Sequence, residues 1–156
     1  MKHNVLSADA LTKFVMIASA SRGTETAASN MMRTAQAQRE VMSLGRTIRA
    51  LEMVTGFYAE QGQEGSYEQS LAIGLDNPNT MSALIRLFCE KYDQDCVLVW
   101  NRDTDNVWLH SSDGMTQLGQ RGMVMTHHSW NTAQALGHKL ADAFTVAADG
   151  SVWEVR

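Results

Sequence analysis

A chain of 156 residues is long enough to bury an ordinary core without disulfide or metal staples. With 44% apolar and 19% charged residues it is a globular sequence, which excludes a disordered tail. The formal net charge of -4 argues against a nucleic-acid surface and is too small for a DNA mimic.

Cys89 and Cys96 are too few for a disulfide framework and suit a reducing compartment. No apolar run approaches the roughly 18 residues of a membrane span. Residues 1–11 carry Lys2 and Asp9 without the apolar segment of a signal peptide. The expectation is a single domain over 1–156, cytoplasmic, away from membranes, with 1–11 a loose lead-in.

In chain order, residues 12–20 form an apolar, β-rich run with apolar groups on both faces, as an inner strand requires. A small-residue loop follows at 21–29. Asn30 is a candidate cap for a helix to about Glu52, with Met31, Ala35, Val41, Leu44, Ile48 and Leu51 as its stripe and Gly45 as a weak point. Residues 53–60 read as a second strand and QGQEG (61–65) as a turn. Residues 66–75 give a third strand, whose alternation puts Tyr67, Gln69, Leu71 and Ile73 on one face. After DNPN (76–79), Asn79 or Thr80 starts a second helix to about Tyr92. DCVLVW (95–100) is a fourth strand with VWLHS (107–111) as its hairpin partner. A less regular stretch leads to a short helix within 131–140. The tail 143–155 reads as a hairpin turning at Asp149-Gly150.

The core order is β-α-β-β-α-β, the ferredoxin-like arrangement of an antiparallel sheet with two helices on one face: an α+β fold. Its strands are apolar on both faces, so the helix-free face needs a cover. A second subunit or the C-terminal hairpin could supply it, and the first is the simpler.

Catalytic signatures are sparse. There is no Walker-type loop, GxGxxG, CxxC, HExxH or GxSxG. The adjacent His127 and His128 would point to opposite sides of a strand, so no metal site is expected. The four tryptophans and ten methionines suit core or interface packing.

Several ordered segments nevertheless resemble the phage S-adenosylmethionine lyases, long described as hydrolases. QDCVLVWNRDT (94–104) is the tightest match, and AFTVAADGSVWEV (143–155) is similar to the family's ending. SASR (19–22), the Asn30 and Arg33 spacing, TIRA (47–50), Gly56 and Tyr58 fall in matching order. The resemblance implies a trimeric α/β sandwich like the PII-type signalling proteins, with active sites between subunits. It implies conversion of S-adenosylmethionine to 5′-methylthioadenosine and L-homoserine lactone, without cofactor or metal, as a counter to host restriction-modification.

A tyrosine on the family's second strand maps to Tyr58. A glutamate on its third strand maps to Gln69, where the amide keeps the shape but loses the charge. On that alignment the chain is an impaired lyase, and the alternative is a trimeric nucleotide-binding or S-adenosylmethionine-binding module without catalysis. Ser19, Ala20, Arg22 and Tyr67 are the candidate substrate-binding residues. An antirestriction protein acting by direct contact with a host enzyme is a third reading, weakened by the low charge.

Overall fold

A computed structural model describes residues 5–7, 11–59, 65–137 and 140–156. Strand β1, Phe14–Ser19, is buried along its whole length because both of its faces are covered. Phe14, Met16 and Ala18 pack toward the helices, while Val15 and Ile17 point to the opposite side of the sheet.

Helix α1, Ala27–Met42, starts earlier than the sequence suggests. Its cap is Thr26, an extended residue whose hydroxyl accepts the Ser29 amide at 3.1 Å. Asn30 is not the cap. It lies inside the first turns, where its side chain reaches back to the loop: Oδ1 accepts the Arg22 amide at 2.8 Å and Nδ2 donates to the Arg22 carbonyl at 3.0 Å. The helix also stops ten residues short of Glu52. Gly45 sits at φ +65°, a left-handed conformation that glycine adopts without strain and that ends the helical path. Strand β2 therefore runs Ile48–Tyr58 rather than beginning at Met53. Ile48, Leu51 and Met53 pack against the helix-side core, whereas Ala50 and Val54 join the core on the other face. What looked like the end of a helical stripe is largely strand alternation.

Strand β3, Ser66–Leu75, has the expected bounds. Asn77 caps helix α2, Pro78–Arg86, by accepting the amides of Asn79 and Thr80, and Pro78 occupies the first turn where its missing N–H costs nothing. The helix widens into a π-type turn at Leu87–Lys91. Strands β4, Val97–Asn101, and β5, Asn106–Ser111, form the expected hairpin. Two strands the sequence did not reveal follow, β6 at Gly114–Leu118 and β7 at Met123–His127. A short helix α3 covers Trp130–Ala135, and its expected extension over residues 138–139 lies outside the described residues. Strands β8, Ala143–Val146, and β9, Val152–Val155, close the tail hairpin around Gly150 at φ +89°.

The nine strands of the described residues join one antiparallel sheet in the order β6-β5-β4-β1-β3-β2-β8-β9-β7. The sheet curls. Helices α1 and α2 and the π-type turn after α2 cover its outer face through Ala37, Val41, Leu84 and Phe88. Its inner face is filled by its own far strands: Trp100 and Val107 meet Met123, Trp153 and Val155. The Arg156 carbonyl, just past β9, accepts the Gln120 amide at 2.8 Å.

The expectation of a helix-free face awaiting another subunit is thus corrected. The C-terminal strands and the fully buried Val5 and Leu6 cover it within one chain. The lead-in at residues 5–7 is pinned. Glu52 accepts the Val5 amide at 2.8 Å, and the Arg102 guanidinium donates to the carbonyls of Val5 and Ser7. Residues 1–4 and 8–10 of that lead-in lie outside the described residues. Among the described residues no helix is long and apolar enough to cross a membrane.

Candidate functional site

The inner face is closed at one end by Val5, Leu6, Trp100 and Trp153. At the other end β1 and β2 finish while β3 and β4 begin. There the curl leaves a cavity of about 260 Å³. Ile17, Leu98, Leu109 and Val155 supply apolar lining, and Ser19, Tyr58, Ser66, Glu68, Ser70 and Asp95 supply polar groups.

Strand register decides which side chains share this space. Residues directly opposed in an antiparallel pair point to the same face. Tyr58 opposes Ser66, and Gly56 opposes Glu68, so these four positions belong to the inner face. Ser19 opposes Ser70 on the neighbouring pair and joins them. Phe57 opposes Tyr67 and Thr55 opposes Gln69, which places Tyr67 and Gln69 on the outer face.

The third-strand alternation read from sequence holds, and Gln69 lies on the opposite face from Tyr58. The glutamate on the face of Tyr58 is Glu68. The Gln69 side chain is exposed on the far side of the sheet, while its backbone carbonyl accepts the Ser19 hydroxyl at 3.1 Å. Tyr67 packs beside Phe57 at 4.8 Å between ring centroids and beside Trp130 at 6.1 Å, in an aromatic group with Phe144.

Glu68 is half-buried, and burial is the largest influence on its carboxyl, pushing it above the ordinary glutamate value of 4.5. A hydrogen bond with the Ser19 side chain pulls the other way, and the charge of Asp95 adds to the rise. A half-buried carboxylate with a raised pKa in a cavity is a common mark of a functional site. Gly56 keeps room beside it. A Cβ there would meet the Ser70 hydroxyl at 3.1 Å.

The remaining candidates frame this cavity without facing it. Ala20 is buried, and its carbonyl accepts Arg33 Nε at 2.7 Å. Arg22 pairs with Asp93 at 2.9 Å and is not among the lining residues. Among the described residues no three His, Cys, Asp or Glu side chains cluster closely enough to hold a metal ion.

The sequence profile of the S-adenosylmethionine lyase family matches residues 16–156, nearly the whole chain. The chain belongs to the S-adenosylmethionine lyase family. No curated protein matches it significantly.

In this member of the S-adenosylmethionine lyase family, the segments that carried the resemblance turn out to be tied together. Arg33 donates to the carbonyls of Ala20 and, at 2.6 Å, Tyr92. Gln94 Nε2 donates to the Ser21 carbonyl at 2.9 Å. With the Arg22–Asp93 pair, these contacts lock the loop after β1 to the turn before β4. One of those segments holds Ser19 and the other holds Asp95, so the network fixes two walls of the cavity. Arginine suits this work because its planar fork serves two carbonyls at once.

Sequence reasoning missed Ser66 and Ser70, and it did not choose Glu68 or Asp95 as site residues. One signal was available for Glu68. The connection 59–65 has an odd number of residues, which makes even-numbered positions of β3 oppose even-numbered positions of β2 when the strands pair evenly around it.

Proposed function

We propose that the protein degrades S-adenosylmethionine to 5′-methylthioadenosine and L-homoserine lactone in the cavity walled by Tyr58 and Glu68. The observation that carries this reading is that Tyr58 and a half-buried glutamate share one face of the sheet, inside a cavity, in a chain of this family.

The chemistry asks little of the protein. The substrate holds both its nucleophile, a carboxylate, and its leaving group, a sulfonium. Attack of a carboxylate oxygen on the γ-carbon forms a C–O bond. The C–S bond breaks, and its electron pair neutralises sulfur. No water, metal or cofactor enters. Holding the methionine arm in the folded shape can supply up to ~7–11 kcal/mol in well-oriented intramolecular cases. On this reading Glu68 holds the arm's ammonium by a charge-assisted hydrogen bond, and Tyr58 adds a second polar contact. The apolar walls keep water out while opposite charges cancel.

The strand order β4-β1-β3-β2, with α1 and α2 on one face, supports reading the core as a ferredoxin-like, PII-like domain. The cavity of a single chain is smaller than the ~300–1,000 Å³ common for ligand sites. This supports a homotrimer in which a neighbouring copy supplies the missing wall. On the same reading the chain acts in the host cytoplasm, depleting the methyl donor that restriction-modification systems need.

An impaired enzyme is the reading that rests on Gln69 standing where a carboxylate belongs, and Glu68 in the cavity weighs against it. A module that only binds rests on the PII-like architecture, and turnover of S-adenosylmethionine separates it from a lyase. The test is the variant Gln69→Glu. Its new carboxylate points away from the cavity, so methylthioadenosine release from S-adenosylmethionine should stay within about twofold of the wild type, as for surface substitutions that change energies by under ~0.5 kcal/mol. A tenfold or greater gain would restore Gln69 as a catalytic defect, and a wild type that releases no methylthioadenosine would overturn the proposal.

A further inference from the structure

The cavity carries a feature that the proposed chemistry does not yet use. Among the described residues its lining holds two carboxylates, Glu68 and Asp95, and no lysine, arginine or histidine. Arg22, three residues past Ser19, is engaged by Asp93 at 2.9 Å, and Lys91, four residues before Asp95, is engaged by Glu40. Asp95 is exposed, and among the described residues no cation pairs with its carboxylate. Its position is not accidental wander of a loop. Gln94, the preceding residue, is hydrogen-bonded to the carbonyls of Ser21 and Tyr92, and Cys96 and Val97 lead directly into β4.

We infer that Asp95 is a specificity-determining residue, whose carboxylate makes the cavity prefer a sulfonium over the otherwise similar neutral thioether. The inference rests on the proposed reading of the cavity and deepens it. Substrate and product differ in charge at sulfur: the sulfonium becomes a neutral thioether as the C–S bond breaks. An uncompensated anion at the mouth therefore favours entry of the substrate and ceases to hold the product once the charge is gone. Low-dielectric walls concentrate such a field, and salt weakens it.

The experiment compares S-adenosylmethionine with S-adenosylhomocysteine. Both carry the same adenosine, ammonium and carboxylate, so they differ by one methyl group and one charge at sulfur. KM for the first, its kcat, and the inhibition constant of the second are measured for wild type, Asp95→Asn and Asp95→Glu. Because the methyl contact is common to all three proteins, any change in the ratio of the two constants reports the charge. Asp95→Asn should raise the KM for S-adenosylmethionine about fivefold while leaving S-adenosylhomocysteine unchanged, the size expected of a solvent-exposed ion pair. Asp95→Glu should restore most of the preference. In wild type the preference should shrink as salt approaches about 1 M, where the Debye length is ~3 Å, and in Asp95→Asn it should respond less.

If both ligands weaken alike in Asp95→Asn, the residue merely supports the loop and the inference falls. It falls equally if neither constant moves. A wild-type protein that neither turned over the sulfonium nor was inhibited by the thioether would overturn the reading of the cavity itself, and this inference with it.

Discussion

Replacing Glu68 by glutamine should cut methylthioadenosine release by between about 10- and 150-fold and, at neutral pH, raise the thermal midpoint. The first effect follows from the charge-assisted hydrogen bond that the amide cannot make, worth ~1.5–3 kcal/mol. The second follows from the position of the group. Burial pushes the Glu68 carboxyl above its ordinary value of 4.5. A carboxyl whose pKa is raised on folding binds its proton more tightly in the native state. Its contribution to stability is fully present below the unfolded value and is lost as pH rises through the folded value. At neutral pH the ionised group works against the fold, and glutamine removes that burden. The stability gain should shrink to nothing as pH falls below 4.5. A structural glutamate would show the reverse pattern, with activity and stability lost together. Melting curves between pH 4 and 8 beside rate measurements separate the two.

The largest effect on folding is expected at Gly122, in the connection before β7. A Cβ there would lie 1.9 Å from Asp105 Oδ1 and 2.3 Å from Trp100 Nε1, distances that no side chain tolerates. Those two atoms are themselves hydrogen-bonded at 3.1 Å. Trp100 is only 9% exposed, and it packs in the inner core. Gly122→Ala must therefore push the indole into filled space and strip its N–H of a partner. Overpacking costs ~1–3 kcal/mol, and an unpaired buried donor costs a similar amount. A loss of about 3 kcal/mol would lower the melting midpoint by roughly 6–12 °C in a chain of this size. In the double variant with Asp105→Ala the cost should be less than the sum of the singles, because both changes break one and the same bond. An unchanged midpoint for Gly122→Ala would mean that this corner of the inner core is loose.

Much of the fold was legible because local signals agreed. Strand β3 was bounded by turn-forming segments and alternated cleanly along its length. The two crossover helices and the tail hairpin were readable for the same reason. Strands β6 and β7 were not. They lie at the two ends of the sheet order, and β6 is exposed at four of its five positions, so neither shows the apolar alternation of a strand with one buried face. The end of α1 was misplaced because Leu44, Ile48 and Leu51 fit a helical period well enough to hide the break at Gly45. The cover of the inner face could not be read at all, since it comes from strands far apart in sequence.

The site was half legible. Of the residues named from the sequence, Tyr58 and Ser19 face the cavity, while Ala20 and Arg22 belong to its frame. Gln69 and Tyr67 lie on the other side of the sheet from Tyr58, which the alternation of β3 alone could not tell. One residue of register inverts a strand's faces, and register depends on the pairing of β2 with β3, not on either strand alone. The network of Arg22, Arg33 and Gln94 had only residue spacing to announce it, because its contacts run from side chains to distant backbone carbonyls.

The most direct test of the central claim is the fate of oxygen when the reaction runs in water enriched in oxygen-18. If the substrate's own carboxylate displaces the thioether, the lactone contains no label. Homoserine formed later by opening of that lactone carries label in its carboxyl group and none on the γ-oxygen. Label on the γ-oxygen would mean that water attacked the γ-carbon directly, and would contradict the account.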